Sequence, residues 1–294
     1  MKPLHLILGL FLLMRSLALL NAQDPNDIYS FSLQKVNDEY FVSQPKLLTG
    51  YNINAYNSQP NFVDSKNLMV TSQLKGTSQT DIYGLNIYTR QMHQITDTPE
   101  AEYSPQLHPD NKSFNCVRVE SDGKTQRLWN FPLDHSSQGK PLFPDTKNVG
   151  YYHWLNKSQV AMFLVGEPHS LIIGDTKDNT QEPITSNIGR GMGTAPNGDL
   201  LYIQKLSERT WYIKQLDIKT KKSFIVTETL DGAEDFAVMS DGAILMAKDS
   251  QLFLYDVKNS KQWKMIADFA IYGLTKINRL AFNGDRILVL VNEE

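Results

Sequence analysis

Cysteine is nearly missing: Cys116 is the only one in 294 residues. No intramolecular disulfide can form, so the fold has to be held by apolar burial and hydrogen bonding. Paired-thiol redox chemistry and cysteine-based zinc sites are excluded on the same ground. Also absent are a His-Glu-x-x-His motif, a glycine-rich phosphate loop and the Gly-x-Ser-x-Gly nucleophile elbow. These absences remove the sequence signs of zincins, P-loop enzymes and α/β-hydrolase peptidases. The later histidines, His93, His108, His135, His153 and His169, are scattered without ligand spacing. No metal site, no catalytic residue and no cofactor is read from the chain.

Long apolar runs are confined to the first residues. Lys2 precedes an apolar stretch over residues 4–20, centred on 6–14 and ending near Ala22. The uninterrupted core is well short of the roughly 20 residues that span a bilayer. This is the pattern of a secretory signal peptide over 1–22, cleaved near Ala22-Gln23, with a mature domain over 23–294. A periplasmic or secreted protein with no stable membrane span is expected. Taking Lys2 and Arg15 from the 29 basic residues leaves 27 against 32 acidic ones. That balance disfavours a nucleic-acid partner, which calls for a basic stripe.

What is present is a repeat. Short turn clusters recur at Asp64, Asp110, Asn156, Asn197, Asp241 and Gly284, at intervals of 41 to 46 residues. Each is followed by a continuous apolar run, such as Val160-Ala161-Met162-Phe163-Leu164-Val165 or Leu200-Leu201-Tyr202-Ile203. Continuous rather than alternating apolar residues imply strands buried on both faces. Bounding Asn, Asp and Gly turns argue against short helices. A second strand ending in an Asp-type turn follows, as in Leu252-Phe253-Leu254-Tyr255-Asp256, and then a more polar strand such as Pro183-Ile184-Thr185. Each unit is therefore a four-stranded meander. Asn111-Lys112-Ser113 and Asn156-Lys157-Ser158 fit a glycosylation acceptor pattern but are read as tight turns.

The last unit stops after two strands, and the missing pair stands at the other end of the chain. Asp27-Ile28-Tyr29-Ser30-Phe31-Ser32-Leu33 matches the third strand and Pro45-Lys46-Leu47-Leu48-Thr49 the fourth. The expected fold is all-β: a six-bladed β-propeller of four-stranded antiparallel blades, its last blade closed by N- and C-terminal strands. No Pro/Ser/Gly-rich linker divides it, so one domain and a monomer are expected.

Two stretches carry a family likeness. Tyr103-Ser104-Pro105-Gln106-Leu107-His108-Pro109-Asp110-Asn111-Lys112 and the segment from Ile87-Tyr88 to Gln94-Ile95-Thr96-Asp97 resemble the TolB-like propeller repeat, a PD40/WD40-like pattern. The resemblance covers nearly all of residues 23–294 and implies the fold rather than a function. The α/β domain that TolB carries ahead of its propeller has no counterpart here, so that family's partners are not carried over.

In a propeller, the segments leading from one blade into the next surround the mouth of the central channel. Here they hold Tyr51, Asn54, Tyr56, Glu100, Glu102, Tyr103, Tyr151, Tyr152, His153, Arg190, Glu234, Asp235 and Tyr272. Tyrosine joins a rigid apolar ring to a hydrogen-bonding tip, and arginine offers a planar fork of donors to an acidic group. Tyr103, Tyr152, Arg190 and Tyr272 are the candidate ligand-binding residues. The glycines in Gly189-Arg190-Gly191-Met192-Gly193 are read as leaving the arginine uncrowded, or else as permitting close blade packing with Arg190 paired to Glu234 or Asp235. The expected function is a non-enzymatic exported binding or scaffold propeller that engages an envelope protein, a peptide or a small polar ligand. The alternative is a calcium-dependent lactonase or esterase-type propeller, with Glu102, Glu234, Asp235 and Asn54 as oxygen donors.

Overall fold

The apolar runs after each turn form the second strands of six four-stranded antiparallel sheets, and these sheets close into a ring. The computed structural model describes residues 23–294 apart from 38, 135 and 285. The segment read as a signal peptide lies outside the described residues, as does His135. Blades 1 to 5 occupy residues 57–94, 101–141, 149–186, 188–228 and 236–268. Blade 6 joins Ile277–Phe282 and Ile287–Glu293 to Asn26–Val36 and Glu39–Leu47.

The second strands read as continuous apolar runs because each has a neighbouring blade on both sides. Six clusters of buried side chains fill the six junctions between blades. Phe31 and Leu33 pack with Leu245 and Leu252 between blades 6 and 5, while Ile28 and Val289 pack with Leu68 and Val70 between blades 6 and 1. Burying such a side chain contributes about 1.5–3 kcal/mol, so the core supplies the cohesion that disulfides do not. Cys116 is fully buried between blades 1 and 2.

Both ends of the chain meet in blade 6 as the repeat arithmetic requires. Ile28 pairs with Val291 and Phe31 with Leu288, while on its other side Asn26–Val36 pairs with Glu39–Leu47. Thr49 Oγ1 donates to Asp27 Oδ1 at 2.8 Å and accepts from the Ile28 amide at 3.0 Å. Asn57 Nδ2 donates to the Asn26 carbonyl at 2.9 Å, tying the closing strand to blade 1. The outer closing strand begins at Glu39, earlier than the Pro45 expected from sequence, because residues 39–43 continue the ladder opposite Ser32–Val36, with Tyr40 and Val42 packed against the cluster between blades 5 and 6.

The turns follow from their side chains. Asp64 Oδ1 accepts from the amides of Lys66 and Asn67 at 2.7 and 2.9 Å, and Asn156 Oδ1 accepts from Ser158 and Gln159 at 2.9 Å each. Gly198, Gly242 and Gly284 stand at φ of +88°, +94° and +80°, a region that a Cβ disfavours.

Candidate functional site: the central channel

The innermost strands of the six blades are Asn57–Phe62, Ala101–Leu107, Val149–Trp154, Ile188–Thr194, Phe236–Val238 and Ile277–Phe282. Five of them carry a register break near their start, at Ser58/Asn61, Tyr103/Gln106, Val149/Tyr151, Ile188/Met192 and Ile277/Arg279. A bulge bends a strand and re-aims a side chain. Beside these breaks stand Gln59, Tyr103, Tyr151, Arg190 and Arg279, with Asp235 just ahead of the fifth strand, one residue from each blade. Several residues read from sequence as loop thus belong to inner strands, which begin earlier than the turn pattern suggests.

Three cavities with shared walls follow this belt. One of about 120 Å³ is lined by Gln59, Ser104, Gln106, Tyr151, Arg190, Asp235 and Arg279, among others. A second, about 300 Å³, continues from Arg190, Glu234 and Asp235 into a wall of mixed charge formed by Asp231, Lys248, Asp249 and Lys276. A third, about 310 Å³, continues from Gln59 and Tyr151 toward Tyr56, Tyr103 and Gln23.

Charge is concentrated on the side of blades 4, 5 and 6. Arg190 Nη2 donates to the Asn278 carbonyl at 2.8 Å, and its Nη1 and Nε lie 3.7 and 4.0 Å from Glu234 and Asp235. Glu234 also accepts from the Arg190 amide at 3.1 Å and from Lys205 Nζ at 2.8 Å. Arg279 reaches Asp235 at 3.6 Å, donates to Tyr151 Oη at 3.2 Å, and lies over the Tyr151 ring at 5.3 Å. Burial raises the Asp235 pKa, although Arg190 and Arg279 act to lower it. Burial works against the Arg279 charge, but Tyr151, Asp235 and Tyr56 outweigh it and the pKa rises.

The four residues singled out from sequence separate. Arg190 and Tyr103 line cavities that share walls, and Tyr103 Oη accepts from Gln23 Nε2 at 2.9 Å. Tyr152 borders the smallest cavity but is 3% exposed, with its ring packed between blades 2 and 3 and its hydroxyl donating to the Asn115 carbonyl at 2.6 Å. Tyr272, in a short 3-10 turn, packs its ring at a tilt against Phe31 and Phe269, with centroids 5.4 and 6.5 Å away, and lines none of the three cavities. Sequence reading missed Arg279, Gln59 and Gln106. The signal for Arg279 was its place five residues before its turn anchor, where Tyr151 and Gln59 also stand.

The glycines around Arg190 serve packing. A Cβ at Gly191 would stand 2.7 Å from the Glu234 carbonyl oxygen, and one at Gly189 2.8 Å from Ile203 Cγ2. Blades 4 and 5 therefore meet closely here, and Arg190 is held by Glu234 and Asp235 rather than left uncrowded.

The oxygen donors considered for calcium do not converge. Glu102 is fully buried between blades 1 and 2, where it accepts from Thr98 Oγ1 and lies 3.5 Å from Arg118 Nε, while Glu234 and Asp235 face basic side chains. Asn54 is exposed in the loop ahead of blade 1. Among the described residues, no three His, Cys, Asp or Glu side chains are grouped to hold an ion. His153 Nε2 stands 2.7 Å from Thr194 Oγ1, and burial lowers the imidazole pKa to about 4, so it is neutral near pH 7.

Solved structures share this architecture. The protein described as TolB from Agrobacterium tumefaciens superposes with a TM-score of 0.68 at 13% identity, over 92% of this chain and 99% of that one. The fold is that of the TolB-type propellers. TolB from Acinetobacter baumannii gives 0.58 at 14% identity, and this chain, matched over 91% of its length, spans 64% of it. A gluconolactonase from Xanthomonas campestris gives 0.61 at 10% identity, with 93% and 96% of the two chains covered. No protein-family model matches the chain. No curated protein matches it either. Among the described residues no helix is long and apolar enough to cross a membrane.

Proposed function

We propose that this chain is an exported, non-enzymatic binding propeller whose channel takes an acidic group of a peptide, a protein segment or a small polar ligand. One observation carries the reading. Arg190 and Arg279 both line the cavity of about 120 Å³ and both face Asp235, the one carboxylate in its wall, so that cavity holds two guanidinium groups against a single acid. A carboxylate entering there meets two planar guanidinium forks, whose donors suit bidentate contact. Tyr103, Tyr151 and Gln59 line the opposite wall with aromatic surface and polar tips, the combination that binding surfaces favour.

The reading is tested by capture. Tagged protein is used to draw partners from an envelope extract of its source, side by side with Arg279→Ala and Arg190→Ala. Loss of one specific partner in both variants, with folding intact, supports the proposal. Equal capture by all three proteins places the binding surface elsewhere on the ring.

A further inference from the structure

The outer rim is asymmetric. The turns before the outer strands of blades 1 and 3 hold one basic residue each, Arg90 and Lys177, and that of blade 2 holds none before Lys140. Blade 4 has Lys219, Lys221 and Lys222 at this place, and blade 5 has Lys258 and Lys261, followed by Lys264 in its outer strand. Residues 217–222 and 256–264 together contain six lysines against two aspartates, in a chain of net charge −3.

Those aspartates are turned inward. Asp217 Oδ1 accepts from the amides of Lys219 and Thr220 at 2.8 and 2.9 Å, and Asp256 Oδ1 accepts from Lys258 and Asn259 at 3.0 Å each. Lys221 pairs with Glu182 at 3.0 Å. Lys219, Lys222, Lys258, Lys261 and Lys264 form no ion pair among the described residues and are all exposed.

The two turns adjoin across the junction of blades 4 and 5, where Gln215, two residues ahead of the first turn, and Val257 and Lys258 of the second line one surface cavity. Trp263 Nε1, in the outer strand of blade 5, Trp263–Asp268, donates to the Glu228 carbonyl at 2.9 Å, and Tyr255 Oη, in the strand before it, donates to the Val226 carbonyl at 3.2 Å, so blade 5 packs against the outer strand of blade 4, Ser223–Glu228. Within this pair of strands Phe224 and Ile225 are each 54% exposed and Met265 49%. Phe224 and Ile225 are consecutive, beside the register break between Ile213 and Lys214 in the adjoining strand. Lysines that merely protect a sheet edge stand within the strand. Ser223–Glu228 has none, and its lysines lie in the preceding turn, flanking an exposed apolar pair.

We infer that the outer rim of blades 4 and 5 docks on an anionic phospholipid surface, its lysines meeting the headgroup phosphates and Phe224, Ile225 and Met265 entering the headgroup boundary. Clustered lysines draw a protein to anionic lipid, and apolar side chains beside them deepen the contact without any membrane span. The channel faces the ring axis, so docking by the rim leaves it open.

The test is cosedimentation of the whole protein with vesicles of phosphatidylcholine, with and without roughly one-third phosphatidylglycerol. The expected result is binding to the anionic vesicles only, weakened on raising salt from about 0.1 to about 0.5 M. A variant with Lys219→Glu, Lys222→Glu, Lys258→Glu and Lys261→Glu is expected to bind at least about tenfold more weakly. Phe224→Ser with Ile225→Ser is expected to weaken binding several-fold at unchanged charge. All six positions are exposed, and unchanged thermal melting confirms that the variants fold. Equal binding to neutral vesicles, or anionic binding that survives charge reversal, overturns the inference. So does a charge-only effect that the Phe224/Ile225 variant leaves untouched. Retention on polyglutamate without vesicle binding also overturns it, because the partner is then an acidic macromolecule.

Discussion

Arg190 in blade 4 donates to the carbonyl of Asn278 in blade 6 at 2.8 Å, bypassing the intervening blade. The same guanidinium lies 3.7 Å from Glu234 and 4.0 Å from Asp235, so one side chain ties three blades at the channel. Arg190→Ala is expected to cost about 1.5–3 kcal/mol, the range for hydrogen bonds to charged groups, together with at least about tenfold in partner capture. Urea denaturation and capture on the same preparation check both. Full stability together with full capture contradicts the role given to Arg190.

Glu102 supplies a pH dependence. Its side chain is fully buried, and burial pushes its carboxyl from 4.5 up to about 7, with Asp81 nearby and itself raised to about 6 by burial. Between the unfolded and folded values the native state keeps a proton that the unfolded chain has lost. The stabilisation is therefore complete below the unfolded pKa and disappears as pH rises through the folded one. For Glu102 the effect is on the order of 3 kcal/mol. The urea midpoint is expected to fall from about pH 5 to about pH 8, and Glu102→Gln to flatten that fall. An equally steep profile in the variant removes Glu102 as its source.

Ring closure gives a third prediction. Asn26–Val36 covers the edge of Ile287–Glu293 and places Phe31 and Ile28 in two separate core clusters. Deleting residues 23–50 uncovers that edge and takes Phe31 and Leu33 from one cluster and Ile28 and Leu48 from the other, so aggregation is expected in size-exclusion chromatography. A monomeric truncation with the parent melting temperature contradicts closure by these strands.

Gly242 and Gly198 separate backbone strain from crowding. Both have strongly positive φ, but a Cβ at Gly242 meets Pro196 Cγ at 3.1 Å, whereas one at Gly198 meets nothing within 4 Å. Gly242→Val is expected to destabilise by about 1–3 kcal/mol, and Gly198→Val by less but measurably. Unchanged denaturation midpoints in both remove the turn assignment.

The fold was legible in the sequence because its causes are local and repeated. Turn residues such as Asp64, Asp110 and Asp241 and doubly buried runs such as 160–163 recur from blade to blade, and the orphaned strands at the two ends complete each other. The site was legible only in part. Arg190 and Tyr103 were found by residue type and position, but the bulges that aim them are set by pairing with a neighbouring strand, which one sequence does not display. Tyr152 carries the same residue type one position past its break, and the alternation of a strand sends its ring into the core. Tyr272 is drawn away by Phe31, a partner 241 positions distant in the chain. Asn278, which receives the Arg190 guanidinium, contributes a backbone carbonyl and so has no side-chain signature.

The central claim is that the channel belt binds a ligand, and site-specific photo-crosslinking in the living source tests it most directly. A photoreactive residue at Tyr103 is expected to give a discrete adduct that disappears when Arg279→Ala is added, while the same probe at Thr176, in an exterior turn, gives no such band. No adduct from Tyr103, or one that persists unchanged with both Arg190 and Arg279 replaced by alanine, contradicts the account.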